Sequence, residues 1–519
     1  MPSSNRLGKA ALLVIIAALV PSLWLAVAAL DMPQLGHFHD EGLYWISAKS
    51  LAEGSGYRIL SLPGEPYQTK YPPLFPLLLA GVWKLDPSFP HNLRLATVVC
   101  WIALPVCLLL AARLLRTMGF GSASAAAICA VLALNPYVLN YSTSLMSELW
   151  FSCILLGCIL VIHRAGEPGS ARWVALAAGL LAGAAYLTRS SGLPLLASGP
   201  LYFALRRQYS RAALFVCGMA PAIVAWTWWT NRHMLLATDL TSLYYTNYLG
   251  FHLASFSLRD VPVLVWKNAA GMLAGAGDLV AGLREGAVSV ILGSFVFAGA
   301  ARMVRRTGLS PYHLYGGGLI LMLLPWHLCA GDRYMRMILP LLPLLAAGLF
   351  DLLSDCMVAA RRWYDSDSVV RMAAACLAGV AVAGLALPIA AGPVRTLLTA
   401  PGSIARERKN LDQDRAAFRW IQANLPRNAT FLTGADPVFY LYTGRKACTL
   451  IGSPREMYLG DSGKPIDLAS RLAAYSHAQG LDYILLNAAD PVSTVRGHSK
   501  LKELYGSGAL ILQADHGVE

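Results

Sequence analysis

Runs of roughly 20 apolar residues, the length that lets a helix cross the hydrocarbon core of a bilayer, recur along the chain and stop near residue 396. This pattern predicts eleven spanning helices, at roughly 10–30, 94–115, 121–140, 145–163, 173–188, 192–206, 212–230, 287–303, 312–329, 334–354 and 371–396. A further apolar stretch, Pro72–Leu85, has only 14 residues and is expected to lie along the interface or to dip in and out. The first run follows Arg6 and Lys9 and, at 21 residues, is longer than a signal-peptide core of about 7–15, so it reads as a retained helix.

Beyond residue 396 the apolar runs shorten and alternate with polar ones. The pattern predicts a helix near 411–424, a strand at Thr430–Thr433, a helix near 437–442, a strand near 447–451, a helix near 467–478, a strand at Tyr483–Leu486, a helix near 499–505 and a strand at Leu510–Leu512. Helices alternating with short strands suggest a small α/β unit. The expected fold is therefore mainly α: a polytopic membrane domain over 1–396, a linker near 402–415 rich in Arg, Lys and Asp, and a soluble C-terminal α/β domain over 397–519.

Charge assigns the sides. Of 42 Lys/Arg and 29 Asp/Glu, the tail holds 14 and 12, so +11 of the net +13 belongs to the membrane body. Leaving Pro72–Leu85 out of the count of spans puts 15 of the body's 28 basic residues into the N-terminus and five short loops, which is the cytoplasmic bias of membrane proteins. The loops 31–93 and 231–286 and the tail then face the extracytoplasmic side of an inner membrane. A basic excess in loops is no footprint for nucleic acid. Nine of the 10 Cys lie in or beside apolar runs, which predicts neither a disulfide framework nor a cysteine metal site.

Chemistry then has to come from the few polar groups of the outer loops. Asp40 and Glu41 open the first loop within His37-Phe38-His39-Asp40-Glu41-Gly42-Leu43-Tyr44; alone, Asp40 reads as a helix cap. Lys70, in Tyr67-Gln68-Thr69-Lys70-Tyr71-Pro72-Pro73, is a point charge for phosphate held by stiff backbone, or an interfacial lysine. Glu148 stands where the fourth span begins, and ionisable groups beside spans are functional candidates. Arg189, in Thr188-Arg189-Ser190-Ser191, and Arg333 and Arg336, in Asp332-Arg333-Tyr334-Met335-Arg336, carry forks suited to phosphate. His37, His39 and Asp40 match no metal-site spacing, and no metal or cofactor is expected.

Asp40-Glu41-x-x-Tyr44, Tyr67-x-x-Lys70-x-Pro72-Pro73, Met146-Ser147-Glu148, Tyr186-x-Thr188-Arg189 and Arg333-Tyr334 together resemble the GT-C superfamily of polyprenyl-phosphate-dependent glycosyltransferases, in particular the aminoarabinose transferases and protein O-mannosyltransferases. The resemblance implies an integral membrane enzyme with an extracytoplasmic site. Asp40 would be the base, Glu41 and Glu148 the other catalytic acids, and Tyr44, Tyr67, Lys70, Arg189, Arg333, Tyr334 and Arg336 the substrate-binding residues. The partners implied are a polyprenyl-phosphate sugar donor, a lipid, protein or glycan acceptor, and the bilayer. The chain departs from the aminoarabinose branch in having Gln68-Thr69 before Lys70, where that branch carries an acid, and Glu148 in place of an aspartate.

Inverting transfer of a hexose or pentose to a hydroxyl is the activity this pattern implies. The rivals are a glycan ligase or polymerase using a lipid pyrophosphate, and a lipid-linked sugar transporter. Acids and Lys70 gathered at one outer cavity favour an enzyme, whereas charges along a path through the midplane favour transport.

Overall fold

The computed structural model describes residues 7–236, 239–282, 286–327, 332–364, 368–459, 468–490, 495–496 and 501–514. It is an α-helical membrane protein carrying a small sheet near its C-terminus. Helix α1 (Lys9–Ala28) leads into two helices of the first loop, α2 (His39–Ala52) and α3 (Leu74–Leu85). There follow α4 (Leu93–Thr117), α5 (Ser122–Leu134), α6 (Pro136–Ser142), α7 (Glu148–Gly166), α8 (Trp173–Thr188), α9 (Leu195–Leu205) and α10 (Tyr209–His233). Short helices α11 (Leu240–Thr246) and α12 (Tyr248–Leu253) precede α13 (Val261–Ala281), α14 (Ala287–Thr307), α15 (Pro311–Leu323), α16 (Asp332–Ile338), α17 (Leu342–Tyr364) and α18 (Val369–Asn424).

Each of the eleven expected spans contains helix among its described residues, with 328–329 of the span at 312–329 lying outside them, but not every one holds a helix long enough to cross alone. Among the described residues seven helices have the length and apolar character to span, and α5 with α6, bent by 65° at Asn135, makes an eighth. The segments at 173–188, 192–206 and 312–329 form helices of 16, 11 and 13 residues. At about 1.5 Å per residue, the 12 residues of α3 reach roughly 18 Å, well short of the roughly 30 Å hydrocarbon core.

Two stretches correct the reading of the sequence. The segment 231–286, taken as a loop, contains the 21-residue helix α13. Lys267, Asn268 and Asp278 lower its hydropathy, yet it packs closely on α14: a Cβ on Gly277 would lie 2.0 Å from the Ser289 carbonyl oxygen, and one on Gly293 1.8 Å from that of Leu273. Small residues admitting backbone to backbone are how helices associate where lipid removes the hydrophobic drive. The same device joins α8 to α10 through Gly179 and Gly218, and α14 to α17 through Gly299 and Gly348.

The second correction concerns the tail. The stretch 402–415, expected as a linker, is helical; α18 runs unbroken from Val369 to Asn424 and passes through the expected junction near 396. Beyond it come β1 (Phe431–Thr433), α19 (Asp436–Thr443), β2 (Ala447–Cys448), α20 (Pro454–Leu459), α21 (Leu468–Ala478), β3 (Tyr483–Leu486), β4 (Leu501–Ser507) and β5 (Ala509–Ala514). The sheet order is β2-β1-β3-β5-β4, with β1 parallel to β2 and β3 and the last two strands antiparallel. The helix predicted near 499–505 is strand β4 over its described part. Ser507 and Ala509 pair across Gly508 at φ +87°, a left-handed turn that suits glycine and closes a hairpin whose partner strand overrides local helix preference.

Candidate functional site

The N-terminus of α2 sets two neighbouring carboxylates to different tasks. Phe38, in extended conformation, precedes the helix. The Glu41 carboxylate turns back to accept the backbone N–H groups of Phe38 at 3.3 Å and Gly36 at 3.2 Å, and that of Leu145 at 3.2 Å. Glu41, not Asp40, therefore caps the helix. Burial pushes the Glu41 carboxyl up to about 8, against the pull of those three N–H groups.

Asp40, one residue earlier and about 100° away around the helix, is left to face outward from the cap. Its Oδ2 receives Arg336 Nη2 at 2.6 Å, and the Tyr71 hydroxyl donates to its Oδ1. Burial would raise its carboxyl, but the Arg336 and Lys70 charges and the Tyr71 hydrogen bond outweigh that and hold it well below the ordinary carboxylate range. Burial and the adjacent Asp40 carboxylate push the Tyr71 hydroxyl well above its usual value.

Glu148 begins α7, where the helix end favours a negative charge. Its Oε1 receives Arg189 Nη1 at 2.7 Å and Arg336 Nε. Arg336 thus bridges the two acids, using Nη2 for Asp40 and Nε for Glu148. Arg189 Nη1 also donates to Ser147 Oγ at 3.0 Å, and the Tyr44 hydroxyl lies 3.2 Å from the same oxygen. Lys70 Nζ sits 3.5 Å from the Tyr244 ring centre, 4.8 Å from that of Tyr248 and 5.0 Å from that of Tyr71. Two carboxylates therefore meet three cations in a cluster whose acids and arginines are largely buried, an excess of positive charge suited to an anion.

Of the sequence-derived residues, the structure brings together Asp40, Glu148, Arg189, Arg336, Lys70 and Tyr44. Glu41 adjoins them with its carboxylate turned into backbone. Tyr67 lies apart, its ring 4.2 Å from His233 and covered by Arg58 at 3.9 Å. Tyr334 packs on Gly271 and donates its hydroxyl to Asn268 Oδ1 at 3.0 Å, joining α16 to α13. The Arg333 side chain lies outside the described residues.

Tyr71, Ser147 and the tyrosines of α11 and α12 were missed. The signal for Tyr71 was its place between Lys70 and Pro72; for Tyr244 and Tyr248 it was the clustering of tyrosines at 244, 245 and 248. On the α18 side of Phe38, whose ring lies 6.0 Å from the Arg336 guanidinium, a cavity of about 300 Å³ is lined by Gln34, His37, Asn140, Thr396, Thr399 and Glu407 among others.

No protein-family model matches the chain, and no curated protein matches it. Solved structures do share its fold. ArnT from Cupriavidus metallidurans bound to undecaprenyl phosphate superposes with a TM-score of 0.53 at 15% identity, over 98% of both chains. The oligosaccharyltransferase AglB from Archaeoglobus fulgidus, in complex with an inhibitory peptide and a dolichol-phosphate, gives 0.51 at 12% identity over 98% of this chain and 74% of its own. The Archaeoglobus fulgidus oligosaccharyltransferase with Zn and sulfate gives 0.52 at 12% identity, over 92% and 68%. The GT-C-type fold expected from the sequence motifs is the fold found.

Proposed function

We propose that the protein is a membrane glycosyltransferase moving a hexose or pentose from a polyprenyl-phosphate donor to a hydroxyl of a lipid, protein or glycan, at the extracytoplasmic face of an inner membrane. The observation that carries this reading is Arg336 shared between Asp40 and Glu148, with Lys70 close enough to act on the Asp40 charge. Acids and cations gathered at one site favour catalysis over a transport path. The shared fold with proteins solved with undecaprenyl phosphate and a dolichol-phosphate supports a lipid-phosphate donor; fold alone assigns no activity.

In this reading the donor phosphate lies against Lys70, Arg336 and Arg189. A carboxylate held far below its ordinary range is ionised but a poor base. The phosphate supplies the remedy: it competes for Arg336 Nη2, and an Asp40 released from that partner gains proton affinity. The acceptor oxygen attacks the anomeric carbon and passes its proton to Asp40. The bond from that carbon to the phosphate oxygen breaks with its electron pair, and polyprenyl phosphate departs. In-line displacement inverts the anomeric centre. Lys70 and the arginines offset the charge growing on the leaving group, and Arg189 keeps Glu148 compensated while Arg336 is engaged.

The purified protein, incubated with a panel of polyprenyl-phosphate sugars and hydroxyl acceptors, should release polyprenyl phosphate from at least one donor. Turnover confined to lipid-pyrophosphate glycans would overturn the reading in favour of a ligase or polymerase.

A further inference from the structure

The C-terminal sheet domain meets the charged cluster through one carboxylate. Asp436, the first residue of α19, is fully buried. Its Oδ1 lies 2.6 Å from His39 Nε2 and accepts the Tyr245 hydroxyl at 2.9 Å, and its Oδ2 accepts the Ser61 hydroxyl at 3.2 Å. His39 immediately precedes Asp40. In the neutral ring a carboxylate facing Nε2 favours the proton on that nitrogen, with Nδ1 the acceptor, and the Tyr244 hydroxyl lies 3.3 Å from Nδ1. The face of the same Tyr244 ring lies 3.5 Å from the Lys70 ammonium.

We propose that Asp436 is a positioning residue for the phosphate-binding lysine: it sets the His39 tautomer, His39 holds the Tyr244 hydroxyl, and the Tyr244 ring holds Lys70. The C-terminal domain is then part of the donor site. This rests on the reading of Lys70 as a ligand of the donor phosphate.

Docking of the domain does not depend on this chain of contacts. Ala447 N–H donates to the Ser61 carbonyl at 2.9 Å, and Lys446 Nζ reaches the Leu60 carbonyl at 2.6 Å and Glu65 at 2.5 Å. Leu43 and Ile46 of α2 share one buried apolar cluster with Leu432 and Ile484 of the sheet. His39 can be changed while these contacts stay in place. An imidazole that receives its orientation from one neighbour and passes it to another is the arrangement by which outer partners tune metal-ligating histidines; here the object tuned is an ammonium.

The test uses the full chain. His39→Gln puts an amide nitrogen where Nε2 stands, keeping a donor for Asp436 but removing the acceptor for Tyr244; Tyr244→Phe removes only the hydroxyl. Each should raise the Kd for undecaprenyl phosphate and the donor KM about three- to tenfold, with kcat within about twofold and an unchanged Tm. The double variant should be no weaker than the worse single, because both remove the same contact. Asp436→Asn should move Kd and KM in the same direction.

Unchanged Kd and KM in both single variants, additive losses in the double, or a fall in kcat at constant KM would each overturn the proposal. Lys70→Ala separates the two levels. If it weakens lipid-phosphate binding while His39→Gln and Tyr244→Phe do not, the proposal alone falls; if it leaves binding unchanged, the reading of the site falls with it.

Discussion

Asp40 and Glu41 are neighbours in sequence, the first partly exposed and the second buried, and their carboxyls are shifted in opposite directions. The region around Asp40 compensates its charge with side-chain cations, Arg336 and Lys70, on elements remote in sequence. The Glu41 carboxylate is held chiefly by neutral backbone N–H groups, from Gly36, Phe38 and Leu145, with the Arg336 charge acting on it more weakly than they do. A cation on a side chain can be exchanged when another anion arrives, whereas a backbone amide cannot follow a ligand. The first arrangement is therefore equipped to respond to a phosphate and the second to hold a helix end against α7. Asp436 belongs with the second kind, since the donors it meets are hydroxyls and an imidazole.

The largest effect should come from removing the negative charge on the exchangeable side. Asp40→Asn is expected to lower transfer by about 10²–10⁴-fold, the range of a lost general base, while undecaprenyl phosphate still binds; near-normal turnover would sink the assignment of the base. Next in size, Lys70→Ala should raise donor KM roughly tenfold, about 1.4 kcal/mol, with binding that depends less steeply on salt. An unchanged donor KM would make Lys70 an interfacial lysine resting on tyrosines.

Glu41→Gln should act on stability alone. The native carboxyl, at about 8 instead of 4.5, binds its proton more tightly than the unfolded chain does, so this group makes the native state lose stability as pH rises from about 4.5 to 8. Thermal unfolding of wild type and Glu41→Gln across that window should show the wild type falling more steeply. Parallel curves would mean that the N–H groups offset burial completely and that the contrast with Asp40 is smaller than drawn.

The helical body was legible because bilayer length and apolar runs act locally, as α1, α4, α7 and α10 illustrate. α13 was not legible, since Lys267, Asn268 and Asp278 read as loop residues until glycine contacts with α14 accommodate the helix. Strand β4 was read as helix because LKELY has helical preference in isolation and becomes strand by pairing with β5. Within the site, Asp40, Glu148, Arg189 and Arg336 stood out as rare charges beside apolar runs. Tyr67 and Tyr334 share motifs with site residues, yet they pack elsewhere, because neighbouring positions in a chain do not face the same way.

The sequence by itself determined that this is a basic, many-helix membrane protein with a small α/β tail and a scarce set of polar groups in the loops between its helices. Hydrophobic length and charge bias are properties of contiguous residues, so they need no fold to be read. Only the tertiary structure decided that Arg336 holds Asp40 across 296 positions and Glu148 across 188, that Glu41 caps while Asp40 does not, and that Asp436 meets His39 across 397. Those pairings depend on which helix ends converge, and that is settled by packing of small residues between helices and by the docking of the sheet domain on α2.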